Sequence, residues 1–388
     1  MITRRTSLVL LALLVATAAT GADARDCANA QFRITTDFDG GRFAKCKAKR
    51  DGSFEITILP EDRKVVVSYP WYAFRVSAAT PAEVRITLRF PGAYARLWPK
   101  LSTDGTSWRR APEDAVQVSE SRREMRIKAA VAGDGLVIAA QELLPLAWYD
   151  DWFDELAARD DIDVAIIGES VEGRPLRLAK TAAKRDAIIL LGRQHPPEIP
   201  GAMAMRAFVD VVLGDSDLAR GFRERFMLLI VPVLNPDGVA NGHWRHNSGR
   251  TDLNRDWGIF GQPETRAIAA LLDGMDALEV RPRLMLDFHA TSFTTSALFY
   301  TQTDDEVTNP EGFAVNWLSA VATRIPDYAF DHEPGPSDEN PNSKGYFFRR
   351  YGIPAITYEI GDAADRPRLL ETTPVFAEEM MREMLRAN

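Results

Sequence analysis

A chain of 388 residues, 46% hydrophobic and 26% charged, has the make-up of a soluble globular protein with two ordinary domains or one large one. Its net charge of −8 argues against general nucleic-acid binding. The first residues read as a secretory signal peptide. Arg4 and Arg5 precede an apolar run over residues 8–19, and Ala22-Asp23-Ala24 is a small-x-small cleavage site. Residues 1–24 are therefore expected to be removed on export to a periplasm or the medium. The apolar run is too short to span a bilayer, and Asp26 before Cys27 argues against a lipid attachment, so no membrane anchor is expected. In an oxidising compartment the two cysteines, Cys27 and Cys46, are expected to pair.

Between residues 32 and 142 the pattern is short and alternating. Runs at 54–59, 64–68, 72–76, 83–90, 125–129 and 136–139 read as strands. Turn residues such as Asp39-Gly40-Gly41, Asp51-Gly52 and Asp104-Gly105 separate them. This spacing predicts an antiparallel β-sandwich domain over residues 25–142. Its aromatics Trp71, Tyr72, Phe74, Trp98 and Trp108 are read as core and domain interface ahead of a sugar-binding platform.

From residue 143 onward strand and helix patterns alternate. Residues 148–158 read as an amphipathic helix, 164–178 as a hairpin turning at Glu172-Gly173, and 187–191 as a buried strand. Helices are expected at 202–213, 217–226, 263–275, 313–325, 345–351 and 374–386. Strands are expected at 227–234, 284–288, 297–300 and 355–358. The alternation predicts an α/β domain over residues 143–388, with a mixed central sheet flanked by helices. The stretch 331–342, rich in Pro, Asp, Glu and Asn, reads as a mobile surface loop.

Ligands in such sheets bind beyond the carboxyl ends of the strands. The strand at 187–191 runs into Gly192-Arg193-Gln194-His195-Pro196-Pro197-Glu198. Imidazole nitrogen and carboxylate oxygen are normal zinc ligands, and a catalytic site uses three protein ligands with one position open. Two prolines stiffen the loop between His195 and Glu198. His289 ends a separate strand and is the natural third ligand. His243 and His246, three apart in a Gly/Asn-rich loop, are weaker candidates. His332 lies in the acidic stretch and reads as solvated.

Five motifs then follow one another: the loop just quoted, Val231-Pro232-Val233-Leu234-Asn235-Pro236-Asp237-Gly238, Asp252-Leu253-Asn254-Arg255-Asp256-Trp257, Asp287-Phe288-His289, and Thr357-Tyr358-Glu359. Together they resemble the zinc metallocarboxypeptidases of the carboxypeptidase A superfamily, above all the cytosolic, deglutamylase-like branch. Phe38-Asp39-Gly40-Gly41 and Trp71-Tyr72-Ala73-Phe74-Arg75-Val76 resemble that branch's N-terminal sandwich, so the resemblance covers nearly all of the mature chain. It implies Zn2+ held by His195, Glu198 and His289, with Asp252 behind the first ligand histidine. It implies Glu359 as general base, Arg245 at the oxyanion, and Asn254 and Arg255 on the terminal carboxylate of the substrate. The implied reaction is hydrolysis of a C-terminal peptide or isopeptide bond.

There are departures. Pro197 stands where the branch has Gly, and His289-Ala290-Thr291 where it has His-Gly-His. The superfamily's active-site tyrosine has no clear match, and nearby Tyr346 reads as a packed aromatic. The position at the base of the superfamily's specificity pocket is Lys344 here. This implies a preference for an acidic terminal residue, or for a residue such as diaminopimelate in a peptidoglycan stem. Arg193, Arg245, Arg250, Arg255, Arg349 and Arg350, in or near the motifs, suggest a basic cleft. Two other readings stay open. One is an amidohydrolase of the same fold acting on cell-wall γ-linkages or acylated amino acids. The other is a catalytically inactive binding scaffold.

Overall fold

The computed structural model describes residues 26–387 other than 66–68, 134, 293–295, 304 and 338–339. The expected signal peptide lies outside the described residues. The N-terminal domain is built from β1 (Asp26–Ala28), β2 (Phe32–Thr35), β3 (Lys45–Ala48), β4 (Phe54–Thr57), β5 (Ala73–Ala78), β6 (Ala82–Arg89), β7 (Lys100–Ser102), β8 (Arg109–Arg110), β9 (Val116–Val118), β10 (Glu124–Val131) and β11 (Leu136–Ala139). They form two sheets, in the orders β1-β2-β5-β11-β7-β8 and β3-β4-β6-β10-β9. The period of two does the sorting. Along β10, Met125, Ile127, Ala129 and Val131 point in and the residues between them point out. Pairing is antiparallel except between β4 and β6, which run parallel. Cys27 in β1 and Cys46 in β3 are disulfide-bonded, with Cα atoms 5.8 Å apart, and so tie one sheet to the other. Trp71, Tyr72 and Phe74 are buried in the sandwich core, with Trp98 and Trp108 packed at its margin. Of the strand expected at 64–68, Lys64 and Val65 are not in a strand, and the rest lies outside the described residues.

The second domain runs α1 (Leu146–Ala157), β12 (Ile162–Glu169), β13 (Pro175–Thr181), β14 (Asp186–Gly192), α2 (Ile199–Val212), α3 (Asp217–Arg225), β15 (Phe226–Val231), α4 (Pro236–Asn241), α5 (Pro263–Ala277), β16 (Arg281–Thr291), β17 (Ala297–Thr301), α6 (Phe313–Arg324), β18 (Phe330–Pro334), α7 (Ser343–Tyr351), β19 (Ala355–Gly361) and α8 (Arg366–Arg386). The sheet order is β12-β13-β15-β14-β16-β19-β17-β18. Its centre is parallel, from β15 through β14 and β16 to β19. Both faces are covered, as the unbroken apolar runs require. Ile188, Phe288 and Tyr358 pack with Phe208 of α2, Trp317 of α6 and Phe376 of α8. Ile189, Met285 and Ala355 pack on the opposite face with Leu272 of α5 and Phe347 of α7. No helix among the described residues is long and apolar enough to cross a membrane.

The closing helix and the acidic stretch also depart from the sequence reading. The closing helix starts at Arg366, with Pro374 inside it, although Pro374 reads as a helix start. Asp365 caps the true start by accepting the Arg368 N–H. Leu369 shares its core with Phe376 and Met380, so packing on both sides of the proline outweighs the one backbone bond that it lacks. The stretch expected to be a loop from residue 331 begins as β18, which pairs in parallel with β17. Tertiary pairing overrides composition there.

Candidate metal centre and active site

The loop after β14 is shaped by Arg193. Its φ is +50°, in the left-handed region that non-glycine residues adopt at a cost on the order of 1 kcal/mol or more. Its buried guanidinium holds the turn, donating to Pro196 O at 2.9 Å and to Tyr149 Oη at 2.6 Å. Glu198 follows at the N-cap position of α2. In the first turn of that helix Gly201 lies directly on β16. A Cβ added there would sit 2.3 Å from the His289 carbonyl oxygen. Only a residue with no side chain lets the helix start come this close, and the approach carries Glu198 to His289.

The three expected ligands meet. One ligand atom each from His195, Glu198 and His289 lies within 4.8 Å of the others, a span that zinc bonds of about 2.0–2.2 Å can bridge. Both histidines present Nδ1. His195 Nδ1 is 2.8 Å from Glu198 Oε1, and His289 Nδ1 is 2.8 Å from Glu198 Oε2. Each ring is backed by a carboxylate on its other nitrogen. His195 Nε2 is 3.0 Å from Asp252 Oδ1. His289 Nε2 is 3.0 Å from Asp287 Oδ2, at an angle short of a hydrogen bond. A carboxylate at Nε2 favours the proton there, leaving the Nδ1 lone pair for a metal. Burial opposes charge on Glu198, but the two imidazoles outweigh it and hold the carboxyl well below its usual range. Burial likewise opposes charge on Asp252, and His195 with Arg245 overcomes it. The donor set, its shared focus and its backing carboxylates fit a zinc ion.

Glu359 faces this centre from the next strand. The parallel register of β16 and β19 sets Glu359 opposite His289. Its Oε2 is buried and has no hydrogen-bond partner among the described residues. Burial pushes the carboxyl up to about 7, with the imidazoles of His289 and His195 pulling the other way. Glu359 and the three ligands line a cavity of about 200 Å³, together with Arg245, Asn254, Arg255 and Arg96. Arg245 Nε donates to Asp252 Oδ2 at 2.6 Å, so one carboxylate holds both His195 and Arg245. Asn254 Oδ1 accepts the Ser343 N–H, and exposed Arg255 donates to the Asn254 carbonyl at 2.6 Å.

A family model described as zinc carboxypeptidase matches residues 149–365, more than half of the chain. The chain belongs to the zinc carboxypeptidase family. A second model, the N-terminal domain of cytosolic carboxypeptidases, matches residues 34–140. Cytosolic carboxypeptidase 3 of Mus musculus is 44% identical over 80 residues, which is 21% of this chain and 8% of that protein. An uncharacterized protein of Zymomonas mobilis is 24% identical over 241 residues, 58% of this chain and 59% of that one. The matched stretches thus span less than two thirds of these relatives. Among solved structures, a metallo-carboxypeptidase from Burkholderia cenocepacia matches with a TM-score of 0.74 and 20% identity, over 92% of this chain and 98% of that one. A metallo-carboxypeptidase from Pseudomonas aeruginosa, in complex with (2-guanidinoethylmercapto)succinic acid, matches with a TM-score of 0.74 and 18% identity, over 92% and 100%. At these identities the likeness is one of fold, and it includes the sandwich domain.

Against that family background, several residues sit differently from the sequence reading. Lys344 is buried and does not line the cavity. Its ammonium donates to Thr301 O at 2.8 Å and Gly335 O at 2.7 Å. Of the six arginines expected to make the cleft basic, only Arg245 and Arg255 line it. Arg193 is turned to Tyr149, and Arg350 to Asp273 and Asp276. His243 bonds the His246 carbonyl and His246 pairs with Asp62, so neither joins the metal centre. His332 is on β18 with Nε2 2.7 Å from Thr301 Oγ1. Tyr346 is a packed aromatic, with ring centroids 5.1 Å from Phe260 and 5.8 Å from Trp257.

Two residues were missed. Asp287 backs His289, and the signal was available: the two are i, i+2 on one strand and so share a face. Gln194 and Ser343 both donate to Asp287 Oδ2 at 2.5 Å and fix it. Arg96 comes from the sandwich domain, and no motif marks it. Its guanidinium pairs with Asp362 at 2.7 Å and lies 5.0 Å from the Trp244 ring centroid.

Proposed function

We propose that this protein is a zinc-dependent metallocarboxypeptidase that hydrolyses the C-terminal bond of a peptide with a free terminal carboxylate. One observation carries the reading. Glu359, with a buried oxygen that has no hydrogen-bond partner among the described residues, stands opposite His289 in a cavity that also holds the other two ligands and two guanidinium groups of the same domain. His195, Glu198 and His289 would hold the zinc, which supplies Lewis-acid polarisation and an acidified water. Glu359 takes a proton from the attacking water and returns it to the leaving amine. Burial raises the pKa of this carboxyl and a bound dication lowers it, so the ionised base is available near neutral pH. Arg245, fixed by Asp252, offers N–H groups to the oxyanion. Asn254 and Arg255 hold the terminal carboxylate, for which a planar guanidinium is well shaped.

A preference for an acidic terminal residue is the finer part of the proposal. Its support is Arg96, which lines the cavity beside Arg245 and Arg255 and is paired with Asp362. Lys344 lends less than its position suggests, because its ammonium already serves two backbone carbonyls. Action outside the cytoplasm is proposed with it, and the Cys27–Cys46 disulfide supports that. The test is hydrolysis of matched peptides ending in Glu, Leu and Lys by zinc-loaded protein and by Lys344→Ala. Glu is expected to be cleaved fastest. Cleavage of N-acyl amino acids or γ-linked stem peptides alone would favour the amidohydrolase reading. Leu cleaved as fast as Glu would remove the acidic preference and leave the reaction standing.

A further inference from the structure

The loop that carries Arg245 is held from the other domain. Trp244, Arg245 and His246 follow one another between α4 and the Leu253–Arg255 turn. Their three backbone N–H groups converge on one carboxylate, that of Glu61 in the sandwich domain. Arg245 N and His246 N are each 2.7 Å from Glu61 Oε1, and Trp244 N is 3.0 Å from Oε2. Charge-assisted bonds of this kind are about twice as strong as neutral ones. Next to it, Asp62 Oδ2 lies 2.9 Å from His246 Nδ1. On the other flank the Trp244 side chain is buried in the sandwich core, 5.9 Å from the Tyr69 ring. The Gly40 N–H donates to Ala240 O at 2.9 Å just before the loop. So the segment from Ala240 to His246 is docked on the sandwich along its length, and its backbone reaches Glu61 at Trp244 and Arg245, which both line the cavity, the Trp244 ring being anchored in the sandwich core.

We propose that Glu61 is a positioning residue for Arg245, and that the sandwich domain thereby sets the oxyanion site of the other domain. The inference rests on the proposed carboxypeptidase reaction. Arg245 has two restraints: Glu61 holds its backbone and Asp252 holds its guanidinium. Asp252 alone fixes Nε, yet leaves the rest of the side chain to follow the loop. Glu61 removes that freedom without touching substrate or metal ligands. Its effect must therefore pass through Arg245, and must fall on the step in which Arg245 acts.

The experiment compares zinc-loaded wild type, Glu61→Gln, Arg245→Gln and the double variant on one peptide substrate. Glutamine keeps the shape but presents an NH2 group to one of the three N–H donors. Displacing a catalytic group by about 1 Å costs up to roughly 100-fold, so kcat of Glu61→Gln is expected to fall about 10- to 100-fold, with KM nearly unchanged. Zinc content should match wild type, and the melting temperature should fall by only a few degrees, since one of the three N–H groups loses its acceptor. Glu61→Asp, which keeps the charge, should recover part of the rate. In the double variant Glu61→Gln should add no loss beyond Arg245→Gln, because both act through the same group. A wild-type rate in folded, zinc-loaded Glu61→Gln overturns the proposal alone. Losses that multiply in the double variant overturn it too, since Glu61 would then act by another route. A wild type that cleaves no peptide overturns the carboxypeptidase reading and this proposal with it.

Discussion

Replacing Gly201 with alanine tests whether the metal centre depends on the close approach of α2 to β16. The new Cβ would lie 2.3 Å from His289 O, 2.7 Å from its carbonyl carbon and 3.0 Å from its nitrogen. Ordinary contact begins near 3.4–3.5 Å, so about 1 Å of separation is required. β16 is hydrogen-bonded on both sides, to β14 and β19, and cannot give way alone. The start of α2 must move, and it carries Glu198. Helix propensity by itself favours alanine by up to about 1 kcal/mol. Overpacking opposes it with about 1–3 kcal/mol, so a net loss of up to about 2 kcal/mol is expected. Zinc affinity should fall about 10- to 100-fold, as it does when groups supporting ligands are disturbed. Melting of the chelator-treated protein and a competitive zinc titration read the two effects. Gly274→Ala is the control, since a Cβ there meets nothing within 4 Å and should be neutral or stabilising. A Gly201→Ala protein that melts no lower than wild type and binds zinc as tightly would refute the reasoning.

Glu359→Gln should retain zinc and lose turnover by about 100- to 10,000-fold, measured as kcat beside metal content. The ionised Glu359 is the working form, so kcat/KM should fall as the pH drops through its pKa. That value is raised toward 7 by burial, and a bound dication lowers it. The acid limb should therefore lie below neutrality, and activity rising as the pH falls would contradict the assignment. Asp287→Ala should weaken zinc binding about 10- to 100-fold without removing a ligand, which a chelator competition would show; unchanged affinity would mean that Asp287 does not support His289. Cys46→Ser should lower sandwich stability by about 3 kcal/mol, read by denaturant unfolding of oxidised protein, because it opens a loop with ends 19 residues apart.

The sequence by itself determined the catalytic half of this protein. Gly192 to Glu198, Asp252 to Trp257, Asp287 to His289 and Thr357 to Glu359 carry their chemistry within a few residues. The apolar runs that precede them mark the strands whose ends they occupy. Period and capping act over one element, so they can be read along the chain. Only the tertiary structure decided the rest. Pro374 sits inside a helix because core residues on both sides of it pack together. Residues 330–334 became a strand because β17 was there to pair with. The Lys344 ammonium went to Thr301 and Gly335, although its position along the chain pointed to a specificity pocket. Arg96 and Glu61 carry no signal at all: each is an ordinary charged residue of a β-sandwich until the second domain docks. The Arg245 N–H that Glu61 accepts is 184 positions away. No local pattern reaches that far, because a hydrogen bond specifies a distance in space and nothing about the length of chain between its partners.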